Sequence, residues 1–315
     1  MTERRTLLLF GASGFVGGHV RAAAEQAGLK VIGAGRAATG GDLACDLLDP
    51  GSVRDAVRDA APELVINLAG AASVGKSWAT PVETFAVNAM GGLNLLEAVA
   101  DEAPPAHLTF ASSGEVYAPA DGPHDEEDEV GPLNPYGANK AALEILCGQY
   151  ARSRRLRIAV IRAFNQVGPG QARSFAASDF AGQVAEAEVE GRPEVELRVG
   201  DLSVVRDFTD VRDAAQAYVS VAADGHTGTF NLCSGRGVRL DSLIEAIAAA
   251  AAVELRVRAD PARSRPAEAR EIVGSNARLR AAIGWVPRTG LDATMSDLLT
   301  WWRTELAGTE AEALR

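Results

Sequence analysis

The chain has 315 residues, 47% of them hydrophobic, and a formal net charge of −11. That length buries a large core, as one α/β domain or as a major and a minor lobe. The acidic balance argues against a general affinity for nucleic acid or anionic membrane, and no stretch is apolar for long enough to span a bilayer.

Arg4-Arg5 ahead of Thr6–Phe10 invites a signal-peptide reading, but the apolar run is short, ends in a glycine-rich turn and lacks a cleavage pattern. It reads instead as a first β-strand. Cys45, Cys147 and Cys233 are odd in number, far apart and in no metal-like spacing. They are expected as buried small hydrophobes in a reducing cytoplasm, with no metal site.

Leu7-Leu8-Leu9-Phe10 is a continuous apolar run, as a parallel strand covered on both faces requires. It enters Gly11-Ala12-Ser13-Gly14-Phe15-Val16-Gly17, and a helix continues to about Gln26. This G-x-x-G-x-x-G loop is a close relative of the dinucleotide fingerprint. Its glycines permit the tight turn and let backbone N–H groups approach a pyrophosphate, so Gly11, Ser13, Gly14, Phe15, Val16 and Gly17 are expected cofactor contacts. A second strand, Lys30 to Ala34, ends at Gly35-Arg36. An acidic residue near this place binds the ribose 2′-hydroxyl of NAD; Arg36 suits a 2′-phosphate and favours NADPH over NADH, with a solvated surface arginine as the plain alternative. After a short strand over 42–45, Asp46 and Leu47 are placed to meet the adenine.

The alternation continues with a helix at Gly51 to Ala61, a strand at Leu64 to Leu68, a helix at Thr84 to Asp101 and a strand at Leu108 to Ser112. A helix at Tyr136 to Ser153 and a strand at Ile158 to Ala163 follow. Repeated βα units with apolar strands predict a doubly wound parallel, Rossmann-type sheet, with ligands beyond the C-terminal strand ends. Leu68, Ala69, Gly70, Ala71, Ser112, Ser113, Phe164 and Asn165 fall at such ends. Tyr136 and Lys140, four residues apart, share one helix face, so the ammonium reaches the pocket of the phenol. A neighbouring cation is expected to lower the Tyr136 pKa and make it a proton shuttle; an ordinary amphipathic helix carries the same spacing.

The run His124-Asp125-Glu126-Glu127-Asp128-Glu129 reads as a solvated surface loop. Beyond Asn165 come helices at Ser178 to Glu190, Val211 to Val221, Leu240 to Ala252 and Leu291 to Leu306, with strands at Val195 to Val199, Thr229 to Leu232 and Glu254 to Arg258. This looser pattern suggests a smaller C-terminal lobe that chooses the substrate. The expected division gives residues 1–164 plus about 204–228 to dinucleotide binding, and about 165–203 and 229–310 to the smaller lobe.

Together these motifs resemble an extended short-chain dehydrogenase/reductase of the nucleotide-sugar branch. Asn67-Leu68-Ala69-Gly70 is similar to the strand end that lines the cofactor there, and Ala111-Ser-Ser-Gly-Glu-Val-Tyr117 to the catalytic hydroxyl segment. The resemblance implies Ser113, Tyr136 and Lys140 as catalytic residues, with Glu115 shaping the site or binding a sugar hydroxyl. Four stretches resemble the GDP-4-dehydro-6-deoxy-D-mannose reductases, which form GDP-D-rhamnose: Ser73–Trp78, Phe164–Gln171, Val205–Asp213 and Arg265-Pro-Ala-Glu268. They imply Ser73, Asn165, Arg206, Arg265 and Glu268 as substrate contacts. The implied reaction is NADPH-dependent reduction of a C4 ketone, with NADH or NAD as the other cofactor option. Competing readings are an NAD-recycling 4-epimerase, a 4,6-dehydratase, which Gly114 after Ser113 disfavours, and a non-catalytic dinucleotide sensor. The family also implies a homodimer through the helices at 84–101 and 136–153.

Overall fold

The architecture is that of a computed structural model describing residues 4–260, 263 and 269–313. The central sheet contains β1 (Thr6–Phe10), β2 (Lys30–Gly35), β3 (Leu43–Ala44), β4 (Leu64–Asn67), β5 (His107–Ser113), β6 (Arg157–Ala163) and β10 (Gly228–Leu232). Their order is β10-β6-β5-β4-β1-β2-β3, and every pairing is parallel. Alternate side chains of a strand point to opposite faces. Accordingly Leu8, Phe10, Val65, Leu108 and Phe110 join one core, beneath α2 (Pro50–Ala60), α5 (Gly91–Glu102) and α6 (Pro135–Ser153). Leu7, Leu9, Leu64, Ile66 and Ile161 join the other, beneath α1 (Phe15–Gln26), α8 (Val211–Asp224) and α10 (Ala277–Ile283). This is the expected doubly wound sheet, and its strand order reverses between β1 and β4, where ligands settle in such folds.

A third core lies away from the sheet. It is formed by α7 (Ala176–Val189), β8 (Glu194–Val199), α9 (Leu240–Ala250) and α11 (Leu291–Ala313), with β12 (Glu254–Ala259) paired to β8. Between the cores, β9 (Val205–Asp210) pairs with β7 (Asn165–Val167), β11 (Gly237–Arg239) and β13 (Glu271–Ile272).

Three expectations are corrected. The strand over 229–232, assigned to the smaller lobe, is the outer strand of the central sheet, held by its register on β6. β9, assigned to the dinucleotide domain, belongs to the separate small sheet. The helix expected over 84–101 is α4 (Pro81–Phe85), a π-turn at Ala86–Met90 and then α5. A short α3 (Val74–Ala79) precedes it. Among the described residues, no helix is long and apolar enough to cross a membrane.

Candidate active site

The glycine loop is built by close backbone approach. Gly11 has φ +79°, where a side chain is strained, and a Cβ there would lie 2.8 Å from Ala69 N at the end of β4. A Cβ on Gly17 would fall 2.0 Å from Gly11 O. α1 begins with Gly14 as its N-cap, with no side-chain cap and no acidic residue in its first turn. These features fit a dinucleotide pyrophosphate: backbone donors, a positive helix end and no competing carboxylate. Ser13 and Gly14 are exposed beside them, Phe15 and Val16 half-buried.

Arg36 stands exposed just after β2, as a 2′-phosphate partner must. Leu47 is buried; Asp46 is exposed, and its Oδ1 accepts the Leu48 N–H at 3.0 Å, so this carboxylate already braces its own turn. At the β4 end, Asn88 of the π-turn accepts the Ala71 N–H at 2.8 Å and donates to Ala71 O at 3.1 Å. That pair fixes the course of Leu68–Ala71. Asn88 carries no motif of its own, and the apolar helical pattern around it hides the π-turn.

The candidate catalytic side chains gather where β5 ends. Ser113 closes the strand, and a 3-10 turn, Gly114–Val116, follows. Asn134 caps α6, its Oδ1 accepting the Gly137 N–H at 2.8 Å, and Pro135 takes the first helical position. The Asn134 amide also donates to Glu115 Oε2 at 2.8 Å, tying the cap to the 3-10 turn. Ser77 of α3 accepts the Tyr136 N–H at 3.2 Å. The Ser113 hydroxyl acts on the Tyr136 phenol, opposing the rise in its pKa. Ser113 Oγ also accepts the Glu115 N–H at 3.2 Å, which leaves its own hydrogen for another oxygen.

Lys140 is buried, its Nζ donating to Ala111 O at 2.7 Å and lying 5.9 Å from the Tyr136 ring centre. Removal from water drives its pKa down to about 8. The expectation that Lys140 depresses the Tyr136 pKa is therefore corrected. Burial pushes the phenol up to about 12, with Glu115 adding to the rise and the Ser113 hydrogen bond opposing it. At neutral pH the Tyr136 phenol therefore keeps its proton.

The residues expected on the substrate side are more scattered. Ser73 caps α3, its Oγ accepting the Lys76 N–H at 3.2 Å. Asn165 is exposed on β7, directly past β6. Arg206 is buried on β9, and its Nη1 donates to Val205 O at 2.8 Å. Arg265 and Glu268 lie outside the described residues.

The acid-rich stretch is not simply solvated. His124 and Glu126 are buried; Tyr117 stacks on His124 at 4.6 Å, and Glu126 Oε1 accepts the Asn231 N–H at 2.7 Å. A run of charge conceals such a clamp, because its polar partners lie about a hundred residues away.

The profile of the NAD dependent epimerase/dehydratase family matches residues 7–233. The chain belongs to that family. It is 38% identical to GDP-6-deoxy-D-mannose reductase of Pseudomonas aeruginosa over 97% of this chain and 99% of that protein. It is 27% identical to UDP-glucose 4-epimerase of Neisseria gonorrhoeae, over 94% and 97% respectively. Among solved structures, RMD from P. aeruginosa complexed with NADPH superposes with a TM-score of 0.85 at 36% identity, over 96% of this chain and 99% of that one. The Thermus thermophilus UDP-glucose 4-epimerase complex with NAD gives 0.83 at 30% identity, over 95% and 99%. The epimerase/dehydratase family contains both chemistries, so the geometry at Ser113 and Tyr136 bears on the choice.

A Cβ on Gly137 would lie 2.1 Å from Glu115 O, so any side chain there drives α6 away from the turn. Displacing a reacting group by about 1 Å costs on the order of 100-fold in rate. Gly137→Ala is expected to lose about that much turnover while dinucleotide binding, followed by fluorescence titration, stays within a few-fold. Wild-type turnover in this variant would show that the contact does not set the alignment.

Proposed function

We propose that the chain is an NADPH-dependent reductase of the C4 ketone of a nucleotide-linked 4-keto-6-deoxy sugar, converting GDP-4-dehydro-6-deoxy-D-mannose to GDP-D-rhamnose or its C4 epimer. The observation that carries this is the meeting of Ser113 with a protonated Tyr136 at the end of β5, in a chain so similar to a GDP-6-deoxy-D-mannose reductase. In the proposal residues Gly11–Gly17 hold the pyrophosphate, Arg36 the 2′-phosphate, and Asp46, Leu47 and Leu68–Ala71 line the adenosine and nicotinamide sides. The bound cofactor supplies the hydride.

The sugar ketone lies against Ser113 and Tyr136. Tyr136 donates its proton to the carbonyl oxygen, and Ser113 donates a hydrogen bond to that oxygen as charge builds on it. The phenolate left behind is stabilised by the Lys140 ammonium, which would also hold the ribose of a bound cofactor. Ser73, Glu115, Asn165, Arg206, Arg265 and Glu268 are the proposed substrate contacts, with the GDP end at the last three. Two features favour reduction over dehydration. A Cβ on Gly114 would meet the Phe164 ring at 2.9 Å, leaving no space for an acid after Ser113. Glu115 is engaged by Asn134 rather than free to remove a proton.

The proposal extends to a cytoplasmic homodimer in which the central sheet binds the dinucleotide and the smaller lobe binds the sugar. Val82, Phe85, Met90 and Ile145 are exposed apolar side chains on α4, the π-turn and α6, the helices that would meet a second copy. All three cysteines are buried and unpaired, in keeping with a reducing compartment. Ile145→Glu is expected to halve the mass measured by light scattering; a wild-type protein already monomeric would dismiss the dimer.

Mixing the protein with NADPH and the GDP-linked keto sugar should consume NADPH stoichiometrically, with dTDP- and UDP-linked keto sugars slower. Tyr136→Phe should lower the rate at least ~100-fold with NADPH binding retained. No NADPH loss, with NAD found bound in the purified protein, would instead indicate a cofactor-recycling epimerase. The pH profile carries its own sign. Lys140 loses its charge as pH rises through about 8, well before Tyr136 titrates near 12. Turnover at saturating substrate should therefore fall above about pH 8; a rate flat to pH 10 would remove the ammonium from the rate-limiting step.

A further inference from the structure

Behind the reacting groups sits a buried polar cluster that the reaction as described does not use. Glu144 lies four residues beyond Lys140 on α6, one turn deeper and on the same helix face. Its carboxylate accepts the Ser112 hydroxyl at 2.5 Å and takes Arg162 Nε and Nη2 at 3.1 and 2.7 Å. Ser112 and Arg162 are register partners across β5 and β6. Arg162 also donates to Glu126 O at 3.2 Å and stacks over Tyr117 at 4.7 Å. The Arg162 and Glu144 side chains are only 7% and 11% exposed, so this ion pair is shielded from solvent.

We propose that Glu144 is a positioning residue of the reduction: seated on Ser112 and Arg162, it locks the helix of Tyr136 and Lys140 onto the strand of Ser113 and sets a carboxylate one helical turn from the Lys140 side chain. The inference rests on the reductase reading for its chemistry, but not for its geometry. Ser112 directly precedes Ser113, so a carboxylate bound to it fixes the strand end at the site itself. Around the Tyr136–Lys140 pair, α6 presents Glu144 and the Cys147 thiol, and the turn after β5 presents Glu115. β6 contributes Arg162 behind Glu144, α8 the Tyr218 phenol beside Tyr136, and the β4 end and π-turn Gly70 and the neutral Asn88. Glu144 opposes the burial that strips Lys140 of its proton, more strongly than the Cys147 thiol does. Arg162 sets the strength of that support by sharing the carboxylate.

The chain's lysines are Lys30, Lys76 and Lys140, so a sample labelled with [ε-13C]lysine gives three resonances, and Lys140→Met identifies one of them. Glu144→Gln keeps the shape of the side chain and removes its charge. The Lys140 titration midpoint should fall by at least half a pH unit, and the alkaline limb of turnover should move down with it. At pH 8, kcat should drop about 5-fold or more with little change in the KM for NADPH, and Glu144→Asp should recover most of the loss. Should Glu144→Gln fail to fold because Arg162 is stranded, the Glu144→Gln, Arg162→Gln double variant removes both charges; the midpoint should still fall, since it is Glu144 that acts on Lys140. An unmoved Lys140 midpoint in a folded variant overturns the proposal, whatever happens to the rate. Absence of turnover in the wild type would defeat the reductase reading, while the lysine titration would still decide the role of Glu144.

Discussion

A buried ammonium is the constraint on which the site depends. Transferring a lysine out of water disfavours its charged form, yet this fold places Lys140 inside the protein beneath the phenol of Tyr136. Its direct partner is a backbone carbonyl, Ala111 O, rather than a carboxylate. A salt bridge would hold the charge more firmly, but it would also occupy the side chain and quench its field. A carbonyl orients the ammonium and, in the proposed reaction, leaves its field available to a charge that exists only in passing. The carboxylate that does support it is one helical turn away and shared with an arginine.

Tyr136 shows the complementary logic. Without a cation in direct contact, burial keeps the phenol neutral through the physiological range. For proton delivery to a developing alkoxide, a neutral phenol is the required starting state. The sequence spacing of Tyr136 and Lys140 correctly brings them to one helix face, but spacing cannot reveal how far the two polar atoms stay apart or what desolvates them. That distance comes from the depth of α6 against β5.

Much of the fold is legible in the sequence because its signals are local. Leu7–Phe10 is apolar throughout, the glycines at 11, 14 and 17 punctuate strand and helix, and Asn134-Pro135 marks a helix start. What escapes is non-local or irregular. The π-turn that presents Asn88 interrupts a pattern that reads as one helix. β7, β11 and β13 are two or three residues long, too short for alternation, and β9 buries Arg206, Asp207 and Asp210, which composition assigns to a surface. The charged run at 124–129 reads as solvated because nothing nearby in sequence announces Asn231 or Arg278 as its partners. Glu144 and Arg162 escape for the same reason: each is unremarkable alone, and only the register of β5 on β6 brings them to Ser112, which the sequence marks as a strand end and nothing more.

The seat of α6 on the 3-10 turn is a contact between two stretches of main chain, with the Cα of Gly137 against the carbonyl of Glu115. Contacts between side chains drift as a core is rebuilt over evolutionary time, because one apolar group can replace another at slightly different depth. A main-chain contact has no such freedom. Helix α6 can therefore exchange its apolar neighbours along most of its length while its first turn stays registered on the strand. Variation that tunes solubility, assembly or thermal tolerance can accumulate in this protein without passing through the spacing of Ser113 and Tyr136.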